Sequence, residues 1–369
     1  MKLEPFRLER FLAEYRELAA YSLASSVLTQ FRYNELISET DLDMRVRIGP
    51  MNGPEALREA ISHLYSRVTK EGVLVTHGAA EANFLLLNYM LDHRDECIII
   101  VPNYMQVFGV AQATGAKVAL STLLEHDDYR LNTEELKEQV NERTKLIVIT
   151  NPNNPTGIRH TRQEVQAVCD IASEVGAYVL ADEVLRGTEM DGTPTSSPVD
   201  LYERGIATRS LSKLGLSGLR VGWIATRDEE IARGCWSYKD YTTLGNSYLD
   251  QHVALKVLTR LPEILDRDRR LLKENLAILW RWHDENRSFV DSVKPQAGAT
   301  VFPRYAFDMD SVHFCKTVLE KSKVLLAPGD YFNGPGRFRA LFAGHTPETL
   351  QHILDRLSRA FTQMASHTM

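Results

Sequence analysis

The hydrophobic residues of this chain form short runs that alternate with longer segments of helical spacing. Runs such as ECIIIVP and KLIVITNP end in turn residues, which is typical of buried strands. The segments between them, such as AAEANFLLLNYMLDH, have the apolar spacing of helices. This alternation predicts an α/β fold with a mostly parallel sheet and helices on both of its faces. We expect strands at residues 72–78, 96–102, 117–123, 145–152 and 177–183, and helices at 79–93, 104–115, 131–140 and 161–176.

The two ends of the chain have a different pattern. The N-terminal stretch begins with an amphipathic helix and continues into a serine-containing segment for which the pattern predicts no structure. Beyond Arg233 two long helices meet at Pro262, and strand-like stretches and a closing helix follow. The chain has 369 residues, more than one hydrophobic core usually supports. We therefore predict a large domain at 49–260 and a smaller α+β domain, formed by residues 261–369 and joined by the segment 1–48.

Composition and charge narrow the class of protein. The chain is 44% hydrophobic and 25% charged, with a formal net charge of -6 and no basic block, which argues against a nucleic-acid partner. No apolar run approaches the length that spans a membrane. The four cysteines show no CxxC spacing, so we expect reduced thiols and no metal site. We predict a cytoplasmic enzyme.

The strongest candidate for chemistry is Lys213. It lies between hydroxyl residues and glycines in SLSKLGLSG, directly after a predicted strand. A lysine in a closed pocket can lose its proton and attack a carbonyl. Arg220, seven residues further on, offers a planar guanidinium that suits a phosphate. Together they predict an aldehyde cofactor with a phosphate, which is pyridoxal phosphate; a surface lysine and arginine on a turn is the alternative.

Three other predicted strands also end in candidate site residues. Gly78 opens a helix whose first amides, at Ala79 and Ala80, can bind a phosphate. The run NPNNPTG has two Asn-Pro pairs that fix the backbone and can present Asn154 as a hydrogen-bond donor. Asp182 ends the apolar strand AYVLAD, where a carboxylate needs a cationic partner. Taken singly, a simple glycine turn, an ordinary loop and a solvated strand end are the alternatives.

In combination these features resemble the class I and II aminotransferases, which have the aspartate aminotransferase fold. Asn154 in NPNNPTG, Asp182 in ADEV, SLSK at 210–213 and Arg220 follow the order of that family, from about Gly49 to the C-terminus. The resemblance implies a pyridoxal 5'-phosphate enzyme that exchanges an amino group between an amino acid and a 2-oxo acid. It also implies a homodimer with its active sites at the subunit interface.

The resemblance implies a role for each site residue. Lys213 would bind the cofactor as an aldimine and move the Cα proton, and Asp182 would keep the ring nitrogen protonated. Tyr104 would stack on the ring, while Asn154 would bind the ring oxygen and the substrate. Arg339 would bind the substrate carboxylate, and Arg337, on the same face of the predicted strand, would be structural or would favour an acidic substrate. The phosphate would be bound by Gly78, Ala79, Ala80, Ser210, Ser212 and Arg220.

Several positions depart from the family pattern. Leu185 stands where a tyrosine usually donates to the ring oxygen, and Ala80 replaces a hydroxyl residue of the phosphate loop. Ile48 stands where a tyrosine often reaches the partner subunit's phosphate, and the spacing from Lys213 to Arg220 is one residue short. Such departures occur in members that have drifted from simple transamination.

Two alternative functions stay open. The runs GAAEANF and KDYTTLGNS, with the serine-containing segment, resemble capreomycidine-synthase-like members, which would imply elimination and ring closure on a modified arginine. A non-catalytic regulator of this fold is a further alternative, although the first fifty or so residues contain no basic recognition helix.

Overall fold

A computed structural model describes residues 2–366 of the chain. Its strands are β1 (Tyr21–Ser22), β2 (Val73–Thr76), β3 (Glu96–Val101), β4 (Lys117–Thr122), β5 (Thr144–Thr150), β6 (Tyr178–Asp182), β7 (Gly205–Ser210), β8 (Gly222–Thr226), β9 (Val290–Asp291), β10 (Thr300–Val301), β11 (Arg304–Tyr305), β12 (Val324–Leu325), β13 (Ala327–Pro328) and β14 (Phe338–Leu341).

The helices fill most of the sequence between these strands. They are α1 (Arg7–Tyr15), α2 (Tyr33–Leu36), α3 (Glu55–Ser62), α4 (Ala79–Met90), α5 (Gln106–Ala113), α6 (Thr133–Gln139), α7 (Arg162–Val175), α8 (Pro198–Leu201), α9 (Glu229–Lys239), α10 (Tyr248–Thr259), α11 (Leu261–Glu285), α12 (Ser311–Ser322) and α13 (Pro347–Ser366). Among the described residues, none of these helices is long and apolar enough to cross a membrane.

A seven-stranded sheet forms the centre of the molecule, with strand order β2-β8-β7-β6-β5-β3-β4. All neighbouring pairs are parallel except the two that involve β8, which runs antiparallel to β2 and β7. The prediction of a mostly parallel sheet is therefore confirmed. Because β2, β5, β6 and β7 run in one direction, their carboxyl ends meet at one edge, where ligands bind in sheets of this kind.

Both faces of the sheet are buried. Alternate side chains of one strand point to opposite faces, and Ile98, Ile147 and Val179 belong to one hydrophobic cluster while Ile99 and Val148 belong to another. The near-continuous apolar runs noted in the sequence follow from this two-sided burial. All four cysteines are buried and free.

The terminal parts of the chain pair with each other. β1 lies parallel to β12 in a two-stranded sheet, and β14 lies between β10 and β13 in a three-stranded antiparallel sheet. The N-terminal segment thus joins the C-terminal part of the chain, as expected for the smaller α+β unit. The domain boundaries at 49 and 261 stay a prediction.

The serine-containing segment, residues 23–31, has no helix or strand but is fixed by backbone hydrogen bonds. Leu23 N–H donates to the carbonyl of Leu325 at 2.9 Å, Leu28 N–H to that of Lys213 at 3.4 Å, and Phe31 N–H to that of Gly215 at 3.2 Å. These partners are about 185 to 300 residues away along the chain, so local periodicity could not predict the position of this segment.

Candidate active site

A cavity of about 330 Å³ lies at the carboxyl edge of the sheet. It brings together predicted site residues from the ends of five strands, β2, β3, β5, β6 and β7. Of the other predicted residues, Gly78 adjoins this cavity and Arg339 lies in a neighbouring one. The predicted residues that line it are Ala79, Ala80, Tyr104, Asn154, Asp182, Ser210, Ser212, Lys213 and Arg220. The pattern of strand ends indicated most of these residues, and the family resemblance added Tyr104.

Lys213 lies in a short 3-10 turn, Ser212–Leu214, directly after β7. Burial, with a further contribution from the nearby guanidinium of Arg339, lowers the pKa of its amine to about 8, although Asp182 opposes this shift. A lowered pKa increases the neutral fraction of the amine near pH 7, which is the form that attacks a carbonyl. The side chain therefore has the properties of a nucleophilic lysine.

Asp182 ends β6 and is buried at 5% exposure. Its carboxylate accepts hydrogen bonds from Val184 N–H at 3.1 Å and from the Asn83 amide at 3.3 Å. Within residues 2–366, no lysine, arginine or histidine nitrogen lies within ion-pair distance of it, and burial raises its pKa. A buried carboxylate without a cationic partner suits the protonated nitrogen of a pyridine ring.

The far end of the cavity suits a phosphate. Gly78, at φ 81°, turns the chain into α4, so the amides of its first turn are free of helical partners. A Cβ atom on Gly78 would lie 2.8 Å from Nη2 of Arg220. Among the described residues, that guanidinium makes hydrogen bonds only to two carbonyls, at 3.4 and 3.5 Å. The site thus has backbone amides, serine hydroxyls and an available guanidinium, the donor set that a phosphate requires.

The side chain of Arg339 lines a cavity together with Lys213. It is buried at 2% exposure and donates to Asn154 Oδ1 at 3.1 Å and to the Ala24 carbonyl at 2.5 Å. Its Nε has no hydrogen-bond partner within residues 2–366. Arg337 instead binds Glu125 at 2.6 Å, away from the cavity. The ambiguity between the two arginines is therefore resolved in favour of Arg339 as the residue that faces the site.

A second cavity of about 640 Å³ adjoins the first and shares Glu9, Val27, Tyr104 and Lys213 with it. We call the cavity with Asp182 the inner cavity and the one with Arg339 the outer cavity. The outer cavity is bounded by α1, by residues 22–30 and by the segment after β14. A substrate that binds Arg339 next to Lys213 would extend into this space.

Sequence analysis missed several polar residues of the site. The Tyr104 hydroxyl, whose pKa burial raises, donates to Glu9 Oε1 at 2.8 Å. Asn83 lies on α4 and accepts a hydrogen bond from Thr208 at 2.7 Å while it donates to Asp182. An asparagine within the apolar run ANFLLL was a usable signal for Asn83, but Glu9 looks like any charged residue of an amphipathic helix.

Leu185 provides no hydroxyl at the position where the family resemblance implied a tyrosine donor. Its side chain is buried and packs with Ala79 and Val184, and a Cβ atom on Gly298 would lie 2.9 Å from its Cδ1. The neighbours of Leu185 at these contacts, Ala79, Val184 and Gly298, are therefore all without polar side-chain groups. Asn154 remains as the amide that can bind the ring oxygen.

The fold and the site define a pyridoxal 5'-phosphate enzyme of the aspartate aminotransferase fold. The chain belongs to the family described as aminotransferase class I and II, whose profile matches residues 20–357. A solved structure of a pyridoxal-phosphate-dependent aminotransferase from Streptococcus suis 89-1591 has a TM-score of 0.93 and 34% identity, covering 98% of this chain and 99% of that one.

Two further comparisons bear on fold and activity. Capreomycidine synthase from Streptomyces vinaceus is 27% identical over 350 residues, which are 92% of this chain and 90% of the relative. The aspartate aminotransferase from Thermus thermophilus, solved with maleate, has a TM-score of 0.87 at 22% identity, with 97% of each chain covered. The first relative resembles this chain in sequence, and the second shares its fold.

At the phosphate end of the inner cavity, β8 and the Gly78 turn approach each other closely, and Gly222 allows this because it has no Cβ atom. Replacing Gly222 therefore tests whether this contact shapes the site. A Cβ atom there would lie 2.5 Å from Gly78 C and 2.7 Å from Ala79 N, whereas none of the described atoms lies within 4 Å of a Cβ atom on Gly218. We expect Gly222→Ala to weaken pyridoxal phosphate binding about 10- to 100-fold, because overpacking against backbone costs roughly 1–3 kcal/mol. The measurement is a titration of the cofactor-free protein by absorbance.

The matched control is Gly218→Ala, in the short 3-10 turn before β8, which should bind the cofactor like the unchanged protein. Equal affinity of both variants would show that the contact between β8 and the Gly78 turn does not shape the site.

Proposed function

We propose that the protein is an amino-acid aminotransferase that works by ping-pong exchange with a 2-oxo acid. The observation on which this proposal rests is the buried Arg339 beside Lys213 and Asn154. A buried, partly unpaired guanidinium requires an anion, and the α-carboxylate shared by amino acids and 2-oxo acids meets that need. When bound, pyridoxal phosphate supplies an electron sink for the substrate carbon.

Four side chains bind and orient the cofactor or move the proton. Lys213 binds the cofactor aldehyde and, once released, moves a proton at the substrate carbon. Asp182 keeps the ring nitrogen protonated, which strengthens the electron sink. Asn154 orients the ring oxygen, and Tyr104 covers one face of the ring.

The phosphate end holds the cofactor while its bond to Lys213 is exchanged. We assign this role to the amides that follow Gly78 and to the side chains that surround them. Those groups are the backbone of Gly78, Ala79 and Ala80 and the side chains of Ser210, Ser212 and Arg220.

A lyase or cyclase of the same fold is the second candidate. The sequence likeness to capreomycidine synthase and the apolar Leu185 favour it. Glu9 adds support, because it lines both cavities and its carboxylate can bind a cationic side chain such as a guanidino group. A modified arginine would then be the substrate.

One experiment separates the two candidates. The purified enzyme with bound cofactor is mixed with each of the twenty amino acids and with hydroxylated arginine, and the absorbance and the product mass are recorded. Transamination predicts loss of the visible cofactor band and formation of a 2-oxo acid. A product that keeps its α-amino group would contradict transamination and support the cyclase.

Arg339 and Arg337 form a matched pair for testing the clamp. We expect Arg339→Lys to raise KM for the amino acid about 100-fold, because lysine cannot reproduce two parallel hydrogen bonds to a carboxylate. Arg337→Lys should leave KM unchanged, since that side chain binds Glu125 outside both cavities. Steady-state kinetics with the best substrate measures both. Equal effects would remove Arg339 from its assigned role.

We also propose that the chain forms a homodimer with the active sites near the interface. Four exposed apolar residues, Val46, Ile48, Tyr241 and Leu244, support this proposal; they lie on two segments joined by a bridge between Ile48 and Ser247, and we call them the apolar patch. The second segment lies beside the phosphate end, because Asn246 donates to the carbonyls of Arg220 and Thr76. Exposed apolar patches of this kind are typical of protein interfaces.

The dimer has a direct test in solution. We expect the unchanged protein to sediment as two chains and Ile48→Asp to shift it toward one chain, with weaker cofactor binding. Leu18→Asp is the control, since Leu18 is also exposed, at 62%, but lies near the N-terminus in sequence, outside the patch. A dimer that tolerates Ile48→Asp as well as Leu18→Asp would place the interface elsewhere.

A further inference from the structure

Ser26 contacts the amine of the catalytic lysine. Lys213 Nζ donates a hydrogen bond of 2.8 Å to Ser26 Oγ. Within the described part of the chain, this is the one hydrogen bond that the amine makes. Ser26 itself is buried at 5% exposure, so water competes little for this contact.

The contact lies on the substrate side of the lysine. Lys213 lines both cavities, whereas Ser26 lines only the outer cavity, which also contains Arg339. The amine therefore rests at the border between the cofactor and the space that a substrate would occupy. That border is where a proton must move between the lysine and the substrate carbon.

The backbone around Ser26 is fixed on both sides by residues of the site. Two positions earlier, the Ala24 carbonyl accepts a hydrogen bond from Arg339. Two positions later, Leu28 N–H donates to the Lys213 carbonyl at 3.4 Å. The hydroxyl is thus held at a defined distance from both the lysine and the carboxylate clamp.

We propose that Ser26 is a positioning residue that holds the free amine of Lys213 while that amine moves a proton at the substrate carbon. The inference rests on the proposed amino-acid chemistry at Lys213, and it applies to transamination and to cyclisation alike. It assigns a role in the reaction to a segment for which the sequence predicted no structure.

The hydrogen bond fits the proton transfer. A neutral amine can donate one N–H to Ser26 Oγ and keep its lone pair free. The lone pair can then take the Cα proton, and bound pyridoxal phosphate would supply the sink for the electron pair of the broken Cα–H bond. The resulting ammonium still donates to Ser26, so the lysine need not turn away before it returns the proton.

The test uses the enzyme with bound cofactor and its best amino-acid substrate. We expect Ser26→Ala to slow Cα hydrogen exchange with deuterated water about 10- to 100-fold, the range expected when a proton-transfer group is misplaced by roughly 1 Å. KM and the affinity for pyridoxal phosphate should change less than about twofold. The variant removes no interaction that binds substrate or cofactor equally in the ground state and in the transition state. Ser26→Thr should restore most of the rate.

Ser62→Ala is the matched control. Ser62 has the same 5% exposure, and its hydroxyl donates to the Glu59 carbonyl in α3, outside both cavities. Exchange at the unchanged rate is expected for this variant.

A second readout does not depend on turnover. Borohydride trapping of pyridoxal phosphate on the cofactor-free protein reports the neutral fraction of the Lys213 amine. A hydroxyl acceptor favours the ammonium form, so its removal should move the pH midpoint of trapping below the value of the unchanged protein. The other charged groups near the amine, Arg339, Asp182, Glu9 and Arg220, are the same in both proteins.

The outcomes are distinguishable. If the unchanged enzyme exchanges no Cα hydrogen with any amino acid, the proposed function is wrong. If it does exchange, and Ser26→Ala matches it in both rate and trapping midpoint, the role of Ser26 is wrong. If Ser26→Ala lowers the exchange rate and the cofactor affinity and raises KM to a similar extent, Ser26 has a structural role, and this result would also overturn the inference.

Discussion

The central constraint in this structure is the burial of charged groups that lack direct ion-pair partners. Lys213, Arg339 and Asp182 lie around the two joined cavities, and the described residues provide no salt bridge within 4 Å for any of them. Burial lowers the pKa of both cations and raises that of the carboxylate. Such a site is costly for the protein alone, and anionic and cationic groups of a cofactor and a substrate relieve that cost. The same burial makes the lysine nucleophilic.

The parallel sheet explains why much of this site could be predicted from sequence. Each of β2, β5, β6 and β7 ends at the same edge, so residues that follow these strands meet in space although they lie far apart in the chain. Asp182 was recognisable as a carboxylate that ends an apolar strand, and Asn154 was recognisable from the two Asn-Pro pairs that fix its loop. The strands themselves were recognisable because two-sided burial makes them almost continuously apolar.

The remaining residues could not be predicted because they reach the site through long-range packing. Glu9 lies on an amphipathic helix, where charged residues are expected on the solvent side, and only the docking of α1 turns it toward Tyr104. Ser26 lies in a segment without periodicity, whose position depends on hydrogen bonds to Lys213 and Leu325. Asn83 was the exception, because a polar residue inside an apolar helix indicates a buried partner.

Arg339 links the recognition of substrate to the electronics of the cofactor. Its Nη1 donates to Asn154 Oδ1, which leaves the Asn154 amide nitrogen to donate in the other direction. With Leu185 in place of a tyrosine, that amide is the donor left for the ring oxygen among the predicted site residues. If Arg339 binds the substrate carboxylate and Asn154 binds the ring oxygen, as proposed above, Asn154 contacts both the clamp and the ring. Under these proposed roles, Asn154 couples substrate binding to ring orientation, in transamination and in cyclisation alike.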